Sequence, residues 1–346
     1  MPNAKPLRGA LIGCGFFALN QLRAWQELEG VEIVALCDND AERLAAFASH
    51  HPGAAQFTDA QVMLNELHLD FVDIVTPPVA HKPLVLMAAL AGVQVICQKP
   101  FALTLDDARV MINTCAEQGV SLTVHENFRW QAAIRATIEQ LRSGVIGTPF
   151  FGRISFRSGF DVYRLQPYLA QTPRFIVEDL GVHVLDISRA LFGDVGRLTC
   201  ETRRVNPAIN GEDVATLLLA HDSGVTSVVD FSYATRVEKD PFPQSLLEID
   251  GNKGSLRLLA DFSLQVHAEG VTRVLDVTPS IPGWAEAPWF AIQESVLRLQ
   301  REWLLSQQSG SPAETCGSDN FNTQALVEAA YESAEKGTTV RPQRWG

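Results

Sequence analysis

The sequence has no Cys-x-x-Cys pair, no His-x-x-x-His and no mixed Cys/His spacing, although it carries six cysteines and eight histidines. A structural zinc site is therefore not expected. Cys14, Cys37 and Cys97 fall in or beside apolar strand-like runs, where a free thiol behaves as a small hydrophobe. No block of Lys and Arg is present, and the formal net charge is -12. A nucleic-acid partner is excluded on that ground, because phosphates require a concentrated basic face. No apolar run reaches the roughly 18 residues that cross a bilayer, and the longest, Leu84–Cys97, is broken by Gly92 and Gln94. Leu11-Ile-Gly-Cys14 has the outline of a lipoprotein cleavage site. It lacks the preceding apolar core of about 7–15 residues, so no signal peptide is expected. Internal repeats and low-complexity linkers are missing as well. A cytoplasmic protein without membrane or nucleic-acid contact is the expectation.

At 346 residues the chain is too long for one comfortable core, so two domains are expected. With 46% hydrophobic and 20% charged residues, it is neither disordered nor fibrous. The first third alternates short apolar runs with amphipathic segments, the pattern of strands and helices in a parallel, doubly wound sheet. The run from Leu7 to Ile12 leads directly into Gly13-Cys-Gly-Phe-Phe-Ala18, and a helical pattern follows through Leu19, Leu22, Trp25 and Leu28. This is Gly-x-Gly-x-x-Ala between a strand and a helix. Gly13 permits the tight turn, Gly15 lets the backbone approach a pyrophosphate, and Ala18 allows close helix–sheet packing. Phe16 and Phe17 lie on the same turn, at a helix N-terminus that suits phosphate. The reading is dinucleotide binding, set against a bare strand–helix turn.

The second strand, Val31–Cys37, ends in Asp38. An acid there accepts the adenosine ribose hydroxyls and repels a 2′-phosphate, so NAD is expected over NADP. Asp38 as a turn residue or helix N-cap is the bland alternative. Thr76-Pro77 closes another strand and His81 opens the next helix. Thr76, Pro77 and His81 all lie on the ligand edge and are candidates to contact the cofactor's phosphate or ribose, with a solvated helix start an equally open reading for His81. Val93–Cys97 then runs into Gln98-Lys99-Pro100. The proline forbids helix at Lys99 and leaves it beyond the carboxyl end of a strand, the edge where such sheets bind ligands.

After His125-Glu-Asn-Phe-Arg-Trp130 the pattern changes. From Pro149 onward the chain is mainly strand-like, with hairpin signals at Asp222-Ser-Gly224 and Gly251-Asn-Lys-Gly254. The expected architecture is a doubly wound α/β domain over 1–125, then an α+β domain over 126–346 with one open mixed or antiparallel sheet. The C-terminal helix could pack back on the first domain. In Glu178–Asp186, Asp179 and His183 are four apart and share a helical face, with Asp186 three further on. A carboxylate beside an imidazole suits a general base, and a strand-end lysine can polarise a reacting oxygen. A surface helix pair is the structural alternative.

Together, Gly13–Ala18, Thr76–His81, Gln98-Lys99-Pro100 and Asp179–His183 resemble the glucose–fructose oxidoreductase, inositol dehydrogenase and MocA family, from about residue 7 to Val340-Arg-Pro342. The resemblance implies an N-terminal Rossmann domain with NAD. It also implies oxidation of a sugar or polyol hydroxyl, and a homodimer or homotetramer formed through the C-terminal sheet. Lys99 would hydrogen-bond the reacting hydroxyl, His183 would act as acid and base, and Asp179 would bind or orient the substrate. Asn127 and Arg129 occupy the stretch where relatives touch nicotinamide and substrate. Relatives carry Glu where this chain has Gln98, which removes a charge beside Lys99; tuning rather than loss of activity is expected. Arg153, Arg157, Tyr163, Arg164 and Trp289 are further candidates for the sugar pocket. His125–Trp130, Gln166–Tyr168 and Glu178–His183 are similar to bacterial members that oxidise the anomeric hydroxyl of D-apiose to a lactone. Other members imply two alternatives, a dinucleotide-binding sensor and a redox-neutral glycosidase.

Overall fold

A computed structural model of the chain describes residues 5–346. These divide into two compact units, one taking the chain up to Glu126 together with Val296–Phe321, the other Asn127–Ser295 with Asn322–Gly346. The first unit begins β1 (Leu7–Ile12), α1 (Ala18–Gln26), β2 (Val31–Cys37), α2 (Ala41–Ala48), β3 (Ala55–Phe57), α3 (Ala60–Glu66) and β4 (Phe71–Ile74). It continues with α4 (His81–Leu90), β5 (Gln94–Gln98), α5 (Leu105–Glu117) and β6 (Leu122–His125). The six strands form a parallel sheet in the order β3-β2-β1-β4-β5-β6. This is the order of a Rossmann fold, and its switch point lies between β1 and β4.

Strands buried on both faces need continuous apolar sequence, and Leu11, Val72, Ile74, Val95 and Ile96 are all fully buried. Gly9 has no side chain because the Phe71 ring fills that space. Trp25 and Phe71 meet Trp303 from the returning segment, with ring centroids 4.6–5.5 Å apart. Truncating any of these rings to Ala would cost about 3–5 kcal/mol. The same returning segment covers the sheet's edge: Val124 donates its amide to Thr315 (2.8 Å), and Thr315 Oγ1 donates back to the Val124 carbonyl (2.8 Å). An edge strand needs such cover. These contacts explain why Val296–Phe321 belongs with the first unit, although it follows the strand-rich stretch in sequence.

The second unit contains α6 (Ala132–Arg142), β7 (Pro149–Arg157), α7 (Val182–Phe192), β8 (Val195–Arg203), β9 (Val214–His221) and β10 (Thr226–Ser232). Four further strands follow, β11 (Leu246–Gly251), β12 (Gly254–Leu258), β13 (Ser263–Ala268) and β14 (Val271–Asp276). Helices α8 (Phe290–Ser309) and α9 (Gly317–Lys336) close the chain. The eight strands form a mixed sheet, ordered β14-β13-β12-β11-β7-β10-β9-β8, in which only β7 and β10 run parallel. Its helix-covered face packs against α7, which is buried at ten of its eleven positions. Gly152 makes room for the Phe192 ring, and a Cβ at Gly181 would lie 2.7 Å from Phe231. The α7 helix is enclosed nearly all round although it carries His183, Asp186, Ser188 and Arg189, and buried polar groups of that kind need hydrogen-bond partners.

Candidate active site

Parallel strands in the order β2-β1-β4-β5 bring Asp38, Gly13, Thr76 and Lys99 to one edge of the first unit. Neighbouring strands are about 4.8 Å apart, so three gaps place Asp38 and Lys99 about 14 Å from each other along it. The glycine turn is built from main chain. Gly13 adopts φ +100°, and a Cβ there would lie 2.6 Å from the Val75 carbonyl oxygen. Gly15 faces open space, with nothing within 4 Å of where a Cβ would stand. Phe17 caps α1 without a side-chain hydrogen bond, and the helix's first turn holds no acidic residue. Ala18 is fully buried against the sheet, while Phe16 is exposed. A turn that open beside an uncapped helix start fits a dinucleotide pyrophosphate.

Asp38 ties the turn together. Its Oδ2 accepts the Cys14 amide (2.8 Å) and its Oδ1 accepts the Asp40 amide (2.9 Å). The N-cap of α2 is Asp40, not Asp38. A carboxylate has about four lone-pair positions, which leaves Asp38 able to accept ribose hydroxyls. Arg43, which its place in the sequence makes look too distant to matter, sets its guanidinium 3.5 Å from Asp38 and 3.1 Å from Asp40.

His81 is fully buried, so the solvated helix start is overturned. Its Nε2 lies 2.8 Å from the Thr76 carbonyl and its Nδ1 3.1 Å from the Pro100 carbonyl. Burial lowers its pKa despite these backbone contacts. The ring is a strut between the Thr76-Pro77 turn and the Lys99-Pro100 turn, and it fixes where Lys99 begins. Gln98 Oε1 accepts the Lys99 amide at 2.7 Å. Gln and Glu both supply that acceptor.

In the second unit, Asp179 lies on a π-helical turn, Val177–Gly181, rather than in the regular helix that the i, i+4 spacing suggests. Such turns concentrate at functional sites. His183 sits in the first turn of α7 and Asp186 lies three residues on. The π-turn is held at its start by Glu212, whose Oε1 accepts the amides of Phe175 and Val177 (3.2 Å each) and the Tyr331 hydroxyl (2.7 Å). Arg174 lies over the Tyr331 ring at 4.0 Å and donates to Glu328 at 2.7 Å. Burial, and then the charge of Asp179, push the Tyr233 phenol well above its ordinary pKa. Tyr233 therefore stays a donor at neutral pH, in the electrostatic field of the carboxylate.

Asn127 is buried and donates Nδ2–H to Ser295 Oγ at 2.6 Å. Arg129 is buried in a bidentate pair, its Nε and a terminal nitrogen each 2.6 Å from the Asp186 carboxylate. Arg153 and Arg157 pair with Asp230 at 3.0 and 3.1 Å and, with it, line the open sheet face. Trp289 packs edge-on to Phe160 and Phe242, which stack on each other at 4.0 Å. Sequence reasoning passed over Glu212 and Tyr331, neither of which carries a local motif, and read the His125–Trp130 stretch without singling out Phe128.

Residues 7–126 match the oxidoreductase family with an NAD-binding Rossmann fold, and residues 134–257 match the GFO/IDH/MocA C-terminal domain. A D-apiose dehydrogenase of Paraburkholderia graminis is 57% identical over 97% of this chain and 90% of its own. Another, from Rhizobium rhizogenes, is 51% identical over 98% of both chains. An oxidoreductase from Agrobacterium radiobacter, solved in complex with NAD+, L-tartaric acid and magnesium, superposes with a TM-score of 0.96. It is 51% identical, covering 97% of this chain and 98% of that one.

Proposed function

The chain belongs to the Gfo/Idh/MocA family of NAD-binding oxidoreductases, and we propose that it oxidises the anomeric hydroxyl of D-apiose to the lactone. The observation that carries this reading is the similarity, over nearly the whole chain, to two D-apiose dehydrogenases. The Gly13–Ala18 turn and the α1 N-terminus would hold the pyrophosphate, and Asp38 the adenosine ribose. NAD, when bound, supplies the acceptor for the hydride that leaves the anomeric carbon. Lys99 donates a hydrogen bond to the reacting oxygen and biases it toward giving up its proton. His183 receives that proton, and Asp179 accepts a hydrogen bond from a sugar hydroxyl. The loss of one hydride and one proton converts the lactol to the lactone.

We place the enzyme in the cytoplasm, as a homodimer or homotetramer associating through the open face of the mixed sheet. Support comes from that face, where Leu218 is 52% exposed beside the Arg153–Asp230–Arg157 ion pairs. No helix among the described residues is long and apolar enough to cross a membrane.

The test is NADH absorbance at neutral pH with D-apiose and a panel of pentoses, hexoses and inositols. NADH accumulation with D-apiose above all others is expected. A silent panel with NAD still bound would overturn the reading in favour of a sensor or a redox-neutral glycosidase.

A further inference from the structure

The structure assigns Phe128 and Arg129 a positioning role: as neighbours on one short turn, they grip His183 and Asp186 and fix the plane of the His183 imidazole. This rests on the reading of His183 as the proton acceptor. The Phe128 ring lies face to face with the imidazole, with centroids 3.9 Å apart and 8° between the planes. One residue on, Arg129 holds both oxygens of Asp186 at 2.6 Å. The gripped pair are three apart on α7 and so share a face. All four residues are at most 5% exposed.

Two features make this more than packing. Rotation of a histidine ring about its Cβ–Cγ bond is broad and only weakly set by rotamer preference. A proton acceptor must nonetheless aim one nitrogen within about 0.5 Å of its working position. A flat ring at stacking distance leaves the imidazole only its own plane, so Phe128 supplies the orientation that the side chain itself lacks. The Arg129–Asp186 pair then stops α7 from turning or sliding beneath that stack. The grip is itself anchored. Thr323 Oγ1 donates to Asp186 (3.0 Å) and accepts from Arg189 (2.8 Å), while Asn127, just before Phe128, is bonded to Ser295. The turn carrying Phe128 and Arg129 is closed by hydrogen bonds from the Trp130 amide to the Asn127 carbonyl (2.9 Å) and from the Gln131 amide to the Phe128 carbonyl (3.1 Å).

The experiment compares Phe128→Leu, Phe128→Tyr, Arg129→Lys and His183→Ala for kcat, KM, pH–rate profile, NAD affinity and melting temperature. The His183 proton resonance, identified by its absence in His183→Ala, is followed in the full-length protein. Phe128→Leu is expected to lower kcat about 10- to 100-fold, the scale of an ångström of misplacement. Its NAD affinity should stay unchanged, and the His183 resonance should lose the shift produced by the neighbouring ring. Phe128→Tyr, which keeps a flat ring, is expected to restore most of kcat, and Arg129→Lys to give a smaller loss of the same kind. Should Phe128→Leu keep wild-type kcat and pH profile while His183→Ala is inactive, the positioning role falls and His183 keeps its own. Should His183→Ala itself retain kcat and the pH profile, the proton-acceptor reading falls, and the positioning role with it.

Discussion

The ligand edge of the first unit and the π-turn of the second are built from different material. At the edge, the geometry is made chiefly by main chain: a glycine with positive φ, an open helix start and turns that close parallel strands. The nearby Asp38 and His81 side chains are bonded to that same backbone. The Asp179–His183 segment is instead held by side chains distant in sequence. Glu212 and Tyr331 hold the start of the π-turn, and Phe128, Arg129 and Thr323 hold α7. A main-chain site should fail sharply when one backbone position is altered. A site held by many side chains should weaken in small steps.

Among changes to the supports of the two regions, the largest effect on NAD affinity is expected at Gly13→Ala. The added Cβ meets the Val75 carbonyl, and a non-glycine residue at left-handed φ costs about 1–2 kcal/mol before that clash. NAD affinity measured by calorimetry should fall about 10- to 100-fold. A variant with wild-type affinity would break the comparison.

Next in size is a pH effect in the core behind the edge. Asp73 is fully buried, donor Trp25 Nε1–H lies 2.7 Å from its Oδ2, and its Oδ1 has no partner among the described residues. Burial raises its pKa to about 7, against the lowering effect of Trp25. The folded chain therefore holds this proton more tightly than the unfolded chain, where the pKa is about 3.9. Stability is full below about pH 4 as far as this group is concerned, and is withdrawn as pH rises toward about 7, by a few kcal/mol. Asp73→Asn keeps an acceptor for Trp25 and should remove this loss. Denaturant melts at pH 5 and pH 8 should differ less in the variant than in the wild type.

Asp38→Ala should weaken NAD about tenfold, as loss of a charged hydrogen-bond acceptor does, and should narrow the discrimination against NADP. Arg43 would then face an incoming 2′-phosphate with only Asp40 beside it. Asp38→Ala/Arg43→Ala should return the NADP affinity so gained, as titration of both cofactors would show. The smallest effect is expected at Tyr331→Phe. It removes one hydrogen bond to Glu212, worth about 1 kcal/mol. A few-fold loss of kcat with unchanged NAD affinity would sharpen the contrast between the two regions, and a loss of NAD binding would contradict it.

The same contrast explains what could be read in the sequence. Gly13, Gly15, Ala18 and Asp38 announce themselves because a phosphate-binding turn and its ribose acid are local, and the strand–helix alternation orders them. The spacing of Asp179 and His183 was visible too, but not the π-turn, since a widened turn has no compositional mark beyond a glycine at 181. His81 lay at the right edge, yet only the fold shows its ring turned inward. Arg129 and Asp186 are 57 residues apart, and nothing in either segment names the other. The sequence left open a return of the C-terminal helix to the first domain but did not mark Val296–Phe321 as the returning segment, because that return rests on Trp303 and Thr315 meeting Trp25, Phe71 and Val124.

The most direct measurement is NADH formation from D-apiose by Lys99→Ala, taken beside its affinity for NAD. The account predicts that NAD still binds as in the wild type, while turnover falls about 100-fold or more, the scale of a lost proton-handling group. Wild-type turnover in that variant would remove Lys99 from the chemistry and contradict the account.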